Sequence, residues 1–305
     1  MADNLSAQMR AVAERAARIR RELNLSKDTM EQVRAGYVAK REWWNTGGPS
    51  VEHKRFAVPF GEEMIPGVRY SPDNASDTTV IYAHGGGWIV GETRSHDRLL
   101  RSLSVELNAT VLSVEYSLAP EATYPRQIND VVRVLESLDG AGPILLMGDS
   151  CGATLMVQVW LALANKEESG CVRERIAGLA LFYGAYTRGE TQSRIEYSAD
   201  ERGMSREDLE MYERAVLPPG VPADVFELCG RDYHGMPAIY LLSAHCDPLR
   251  DDSVLLSECL KEAGVPVTYV DVPGVAHEFM QYGKMLDVVD EVIKNVAHWN
   301  PARHT

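Results

Sequence analysis

The sequence predicts an α/β fold, with helices on both faces of a mostly parallel central sheet and a helical cap. Three observations predict it: the chain of 305 residues is 45% hydrophobic, short β-rich runs alternate with helical runs beyond residue 51, and the central strands are mainly apolar. Strands that are buried on both faces are typical of parallel sheets covered by helices.

The first 50 residues predict two helices that precede the sheet. The second covers residues 28–44 and ends at the turn sequence NTGGPS. The first covers residues 5–23 and has a narrow apolar stripe formed by Leu5, Met9, Val12, Ala16, Ile19 and Leu23. We expect this stripe to pack on its own chain; a coiled-coil seam in a homodimer is the alternative.

Alternating strands and helices make up the predicted core. The strands cover residues 55–59, 68–71, 79–83, 110–116, 144–147, 176–183, 238–244 and 267–272. The helices cover residues 95–106, 128–138, 151–165, 253–263 and 286–299.

One charged stretch interrupts the alternation and predicts an inserted cap. It carries a single clear helix at residues 205–216, whose Ser205 and Asp208 resemble a capping box. We therefore expect four segments: an N-terminal helical cap segment, the first part of the core, an inserted cap segment and the C-terminal part of the core, at residues 1–50, 51–185, 186–235 and 236–305.

Composition and charge limit the possible functions. A formal net charge of −13 argues against binding to nucleic acid or to an anionic membrane. The N-terminus has no apolar secretory core and no run of 18 apolar residues occurs, so a cytoplasmic protein is expected. Five widely spaced cysteines without a C-x-x-C pair argue against disulfides and a zinc site.

A Gly-x-Ser-x-Gly pattern at residues 148–152 lies where a predicted strand ends and a helix begins. In that context it predicts a nucleophile on a sharp turn, where the residues two before and two after must be small. Those positions are glycines for Ser150, but an aspartate and an alanine for Cys151. We therefore predict Ser150 as the nucleophile and only a backbone N–H from Cys151.

Three consecutive glycines follow His84 at the end of another predicted strand. Glycines there leave backbone N–H groups bare, as the stabilisation of a tetrahedral oxyanion requires. We expect His84 to hold this loop by hydrogen bonds.

A serine nucleophile also needs a base and a carboxylate that orients it. Asp247 ends one predicted strand, and His277 follows another through a short turn. Asp251 and Asp252 are rival acids, which we interpret as acids of a first helical turn.

The other histidines are assigned no role. His245 is expected to point into the packed side of its strand. Five more lie in stretches predicted to be exposed or helical, without ligand spacing: His53, His96, His234, His298 and His304.

At these motifs the sequence resembles the hormone-sensitive-lipase-like branch of the α/β-hydrolases. The matching stretches are HGGGW (84–88), VEYSLAPEATYP (114–125), GDSCGA (148–153), DPLRDD (247–252) and PGVAHEF (273–279). Four further stretches look most like bacterial acetyl esterases: REWWNTGGP (41–49), SHDRLLRSLS (95–104), LFYGAY (181–186) and REDLEMYERAVL (206–217).

The resemblance implies an α/β-hydrolase fold and a site that needs neither a metal nor an organic cofactor. It implies that Ser150 is the nucleophile, that His277 is the general base and then the general acid, and that Asp247 is the orienting carboxylate. It also implies three oxyanion donors, the N–H groups of Gly86, Gly87 and Cys151. One departure is Glu278, which stands where many members have glycine after the histidine. An acid at this position affects the pKa of His277 or the leaving-group preference, in a direction that the sequence leaves open.

The expected function is a serine carboxylesterase that hydrolyses short-chain acyl esters, acetyl to about hexanoyl, through an acyl-enzyme on Ser150. A small-molecule ester is the expected partner, and Trp43, Trp44 and Trp88 are candidate pocket walls. The alternatives are an N-acyl amidase or deacetylase with the same triad and a non-catalytic small-molecule binding protein on this fold.

Overall fold

A computed structural model describes residues 4–25, 28–164, 170–198 and 204–304 of the chain. Within these ranges eight strands form one sheet: β1 (Glu52–Phe60), β2 (Glu63–Ser71), β3 (Thr79–Ala83), β4 (Thr110–Val114), β5 (Ile144–Asp149), β6 (Ile176–Phe182), β7 (Ala238–Cys246) and β8 (Val267–Ala276). Their order across the sheet is β1-β2-β4-β3-β5-β6-β7-β8. β2 pairs antiparallel with β1 and β4, and every other pair is parallel, which confirms the predicted sheet.

The helices follow the predicted order. They are α1 (Ala7–Leu23), α2 (Met30–Asn45), α3 (Asp97–Leu107), α4 (Arg126–Glu136), α5 (Cys151–Ala164), α6 (Gly170–Glu174), α7 (Gln192–Tyr197), α8 (Arg206–Val216), α9 (Arg250–Glu262) and α10 (Val288–Trp299). The short helices α6 and α7 are absent from the prediction because one or two turns carry no readable apolar period. The predicted end of α5 at residue 165 lies outside the described residues.

Local sequence explains where these elements begin and end. The predicted capping box is confirmed: the Ser205 hydroxyl accepts the N–H of Asp208, whose side chain accepts the N–H of Ser205. β2 begins five residues before its predicted start at residue 68, because it forms a hairpin with β1 through Gly61, whose φ is +62°. β8 continues four residues past its predicted end at residue 272, since Ala276 still pairs with Cys246 after a register shift.

Two apolar cores lie on opposite faces of the sheet. One includes Val131 of α4, Leu155 of α5 and Leu256 of α9. The other includes Leu100 of α3 and Val296 of α10. No described helix is both long and apolar enough to cross a membrane.

The apolar stripe of α1 packs on its own chain, as expected. Met9, Val12 and Ile19 are buried in the second core, and the N–H of Ser6 donates to the carbonyl of Gly274 at 2.9 Å. Because these side chains are already covered, the stripe offers little surface to a second copy, and the homodimer stays a prediction.

Candidate active site

The carboxyl ends of four parallel strands meet at one edge of the sheet. His84 follows β3, Ser150 follows β5, Asp247 follows β7 and His277 follows β8. The ends of parallel strands share an edge, so residues far apart in sequence become neighbours there.

Ser150, His277 and Asp247 form a continuous hydrogen-bonded chain. The Ser150 Oγ lies 2.9 Å from Nε2 of His277, and Nδ1 of His277 lies 2.6 Å from Oδ2 of Asp247. A carboxylate only accepts hydrogen bonds, so in the neutral ring Nδ1 carries the proton and Nε2 is free to accept from the serine. The other Asp247 oxygen accepts the N–H of Leu249 at 2.9 Å, which fixes the carboxylate.

The charges around His277 favour its protonated form. Burial acts to lower the pKa of His277, but the carboxylate of Asp247, its hydrogen bond and the carboxylate of Glu278 outweigh burial and raise the pKa above 6.5. His277 therefore holds a proton more strongly than an exposed histidine does, as a group that must accept a proton from a hydroxyl requires.

Ser150 occupies a strained backbone position between β5 and α5. Its φ is +53°, a left-handed value that a residue with a β-carbon rarely adopts. Gly152 permits the close approach of α5 to β3, because a β-carbon there would lie 2.1 Å from the carbonyl oxygen of Ala83. The sequence prediction of a sharp turn with small flanking residues is confirmed.

Cys151 is buried beside Ser150, and its thiol supports the neighbouring loop. Burial raises the pKa of this thiol to about 11, so it is not a ready thiolate nucleophile. Its Sγ accepts the N–H of Trp88 at 3.3 Å and lies 3.6 Å from the Tyr116 hydroxyl. The side chain therefore contacts the glycine loop, a contact that the sequence prediction missed.

Asp149 ties the glycine loop to the serine turn. Its Oδ1 accepts the N–H of Gly85 at 2.9 Å and the hydroxyl of Tyr82 at 2.8 Å. His84 donates from Nδ1 to the carbonyl of Gly85 at 2.9 Å, which confirms its expected loop-holding role. Sequence reasoning passed over Asp149, although its place between the glycine and the serine of the motif was the available signal.

His96 lies behind Asp149, in a helical stretch as predicted, but it has a structural contact although the sequence analysis assigned it no role. The ring is buried, with Nε2 at 3.3 Å from Oδ2 of Asp149 and 2.9 Å from the Gln281 side-chain nitrogen. Burial acts to raise the pKa of Asp149, but His96 and the hydrogen bonds from Tyr82 and Gly85 outweigh it, and the pKa falls below its ordinary value. No spacing in the sequence links His96 to this carboxylate, since only the fold brings them together.

Gly86 and Gly87 line the same cavity as Ser150. Gly87 has a φ of +60°, and a β-carbon there would lie 2.4 Å from the ring of Tyr212 in α8. A side chain at this position would therefore collide with the helix above it. Of the predicted oxyanion donors, the N–H groups of Gly86 and Gly87 belong to the glycine loop after β3, and that of Cys151 belongs to the first residue of α5.

Two cavities meet at Ser150. The larger, about 290 Å³, is lined by α1 and α2 on one side and by Ser150, His277 and Glu278 on the other. The smaller, about 40 Å³, is lined mainly by apolar side chains, of which Leu209, Tyr212 and Phe226 belong to the inserted segment, together with the charged Arg194 and Glu213. One larger and one smaller cavity can hold the two unequal halves of a small substrate.

The three tryptophans proposed as pocket walls differ in position. Trp44 lines the larger cavity and Trp88 the smaller. Trp43 lies between two cations instead, with the Arg15 guanidinium 4.3 Å and the Lys284 ammonium 3.9 Å from its ring.

The rival acids do not reach His277. Both lie in the first turn of α9, as predicted. Asp251 accepts the N–H of Ser193 at 2.8 Å. Asp252 is buried and accepts the N–H groups of Tyr186 and Thr187. These acids anchor the inserted segment to the core.

His245 does not point into the packed side of β7, so that prediction is wrong. Its side chain is 39% exposed and its Nδ1 lies 2.7 Å from Oδ2 of Asp271 on β8. Among the residues that the structure describes, no group of three or more His, Cys, Asp or Glu side chains could hold a metal ion.

Comparisons with known proteins agree with this geometry. Residues 80–281 match a family described as having the alpha/beta hydrolase fold. Acetyl esterases of Salmonella paratyphi A and Salmonella typhi are 32% and 33% identical to the chain, over 90% of its length and 87% of theirs. A hyperthermophilic esterase from the archaeon Pyrobaculum calidifontis superposes with a TM-score of 0.86 at 25% identity, over 98% of this chain and 99% of that one. A fungal esterase from Rhizomucor miehei gives the same TM-score and identity over 99% of both chains.

Proposed function

The chain belongs to the hormone-sensitive-lipase-like α/β-hydrolases and is a serine carboxylesterase, and from that premise we propose that it cleaves short-chain acyl esters through an acyl-enzyme on Ser150. The mechanism rests on two hydrogen bonds, one of 2.9 Å between Ser150 Oγ and His277 Nε2 and one of 2.6 Å between His277 Nδ1 and Asp247 Oδ2. A hydroxyl so placed can lose its proton as it attacks.

In the proposed reaction, Ser150 Oγ attacks the ester carbonyl carbon while Nε2 of His277 takes its proton. The carbonyl electron pair moves to the oxygen, which accepts hydrogen bonds from the N–H groups of Gly86, Gly87 and Cys151. His277 returns the proton to the alcohol oxygen, the carbon–oxygen bond breaks, and the acyl group stays on Oγ. A water molecule then attacks the acyl carbon as His277 takes its proton, the bond from that carbon to Oγ breaks, and His277 passes the proton to Oγ, which releases the acid and restores the serine.

We assign residues 1–50 and 186–235 to a cap over this site. The support is that the larger cavity includes Met9 and Val12 from α1 and Trp44 from α2, while both cavities include Tyr212 from α8. Apolar side chains of these helices over the nucleophile would exclude water from the reacting carbonyl, which strengthens the hydrogen bonds to the oxyanion.

The acyl group is proposed to occupy the smaller cavity and the alcohol the larger. A cavity of about 40 Å³ closed by Trp88, Leu209 and Phe226 leaves room for only a few carbons. Acetyl to about hexanoyl esters are therefore the proposed substrates, in agreement with the acetyl esterase activity named for the Salmonella relatives.

This assignment predicts a steep chain-length profile. On p-nitrophenyl esters from acetate to dodecanoate, kcat/KM should be highest for short chains and fall beyond about six to eight carbons, because longer chains cannot fit without displacing the cap. Leu209→Ala should extend the range by enlarging the smaller cavity.

Met211→Ala is the matched control, since Met211 lies on the same helix and is 44% exposed. It should leave the profile unchanged. A flat profile, or an equal change in both variants, would contradict the cavity assignment. A matched acetanilide measured beside the acetate ester tests the amidase alternative.

The raised pKa of His277 predicts the acid limb of the pH profile. Only neutral His277 can accept the serine proton, so kcat/KM should fall as pH drops through its pKa, with the half-maximum above pH 6.5. The measurement is kcat/KM for p-nitrophenyl acetate from about pH 5 to pH 9. A half-maximum below pH 6.5 would contradict the charge arrangement described around His277.

A further inference from the structure

Glu278 directly follows His277 and has an unfavourable backbone conformation. Its φ of +63° and ψ of +11° are left-handed, a conformation that is unfavourable for a residue with a β-carbon. Its side chain is 28% exposed and lines the larger cavity together with His277 and Ser150. The proposed mechanism assigns this carboxylate no role, so its strained position beside the base needs another explanation.

The contact that holds Glu278 comes from the N-terminal segment. Nη2 of Arg41 on α2 lies 2.5 Å from Oε2 of Glu278, and the Tyr37 hydroxyl lies 3.3 Å from Oε1. Arg41 also donates to the Tyr282 hydroxyl at 2.9 Å, and its side chain is only 7% exposed. This guanidinium is enclosed by the rings of Tyr37 and Tyr282, at 5.0 and 5.4 Å. The pair therefore ties α2 to the loop that carries His277.

Both members of the pair are charged. Burial acts to raise the pKa of Glu278, but Arg41 and His277 outweigh it and hold the pKa below its ordinary value. Removing one partner of such an ion pair strongly destabilises the folded protein, because the other charge is left largely buried and unpaired.

The pair lies within a larger set of charged and titratable groups around the base. The acidic groups that face His277 are Asp247, Glu278 and Asp149. The groups that surround Glu278 include Arg41, His277 and four tyrosines kept neutral by burial, Tyr37, Tyr183, Tyr212 and Tyr282. Arg20 and Lys40 line the same cavity. Glu278 is the member of this set adjacent in sequence to the base, so a change in its charge acts directly on His277.

We propose that Arg41 and Glu278 are a positioning pair for His277, which fixes the loop of the base against α2 and sets the pH range in which the base can accept the Ser150 proton. The inference rests on the proposed function, because it needs His277 to act as the base. It gives the N-terminal segment a part in aligning the catalytic histidine in addition to covering the site. Glu278 acts through His277 and not on the substrate, so its loss should change kcat and the pH profile more than KM.

The test uses the opposite effects of the two charges. Glu278→Gln removes an anion that acts on His277 and leaves Arg41, so the acid midpoint of kcat/KM should fall by about 1 pH unit, the low end of the shift that a neighbouring charge produces. Arg41→Met leaves Glu278 without its cation, so the midpoint should rise. The double variant should return towards the native midpoint. The measurement is kcat and KM for p-nitrophenyl acetate across pH, with thermal unfolding recorded for each variant.

Glu121→Gln is the matched control. Glu121 also pairs with an arginine of α2, Arg34 at 2.6 Å, but is 60% exposed, and its loss should leave the midpoint unchanged. Lower activity with unmoved midpoints in both test variants would show a merely structural pair and overturn the inference. If Arg41→Met does not fold, the midpoint of Glu278→Gln decides by itself. A native chain that hydrolyses no ester overturns the proposed function and the inference with it, whereas an active chain with unmoved midpoints overturns only the inference.

Discussion

Ser150→Ala should lower kcat for p-nitrophenyl acetate by roughly 10⁴- to 10⁶-fold. The hydroxyl that lies 2.9 Å from Nε2 of His277 is the proposed attacking group, and an alanine leaves that position empty while the backbone donors of the oxyanion hole remain. Those donors and substrate binding account for the residual rate. The measurement is steady-state hydrolysis under conditions where the native chain is saturated.

Cys151→Ala is the comparison that separates the two adjacent nucleophile candidates. It should keep most of the activity, because the thiol is buried with a pKa raised to about 11 and contributes an acceptor to the N–H of Trp88. If Cys151→Ala were the inactive variant and Ser150→Ala the active one, the assignment of the nucleophile would be wrong. A covalent acyl group trapped on Ser150, detected by mass spectrometry after rapid quenching, would give independent support.

Asp247→Asn should lower kcat by about 10⁴-fold, the size of effect known for this substitution in serine hydrolases. The carboxylate accepts a hydrogen bond from Nδ1–H at 2.6 Å, which keeps the proton on Nδ1 and leaves Nε2 free to accept from the serine. An asparagine can turn its NH₂ group towards Nδ1, and the ring proton then moves to Nε2, where it blocks proton transfer from Ser150. The measurement is kcat for the same ester, with thermal unfolding to show that the variant is folded.

The chain offers a second aspartate and histidine pair as a control for Asp247. Asp271 lies 2.7 Å from Nδ1 of His245, and the two residues come from the same pair of strands, β8 and β7. Asp271→Asn should leave kcat unchanged, because Asp271 bonds His245 and Ser243 and neither of these belongs to the hydrogen-bonded chain of Ser150, His277 and Asp247. Equal losses in the two variants would indicate a general effect on these strands and contradict the orienting role of Asp247.

Much of the fold could be predicted from the sequence because its strongest signals are local. Runs such as residues 80–83 and 144–147 are apolar throughout, a pattern typical of buried parallel strands. β2 was predicted short because Pro66 and Gly67 weaken the strand signal, and its true length depends on pairing with β1. Helices α6 and α7 are too short for a periodic pattern.

The sequence by itself determined the residues most directly tied to the proposed chemistry. The small neighbours of Ser150 and the strand ends before Asp247 and His277 were readable because a sharp turn and a parallel sheet edge place strict demands on local sequence. These residues come together in the structure within hydrogen-bond distance.

Only the tertiary structure decided which charged groups surround the hydrogen-bonded residues Ser150, His277 and Asp247. His96 and Asp149 are separated by 53 positions, and Arg41 and Glu278 by 237. Such pairings leave no periodic pattern and no fixed spacing in the sequence, because each depends on how the helices outside the sheet pack against it. A polar side chain is exposed by default in a sequence-based interpretation, whereas His96, Asp149 and Arg41 are buried because the fold supplies a partner that offsets the cost of desolvation.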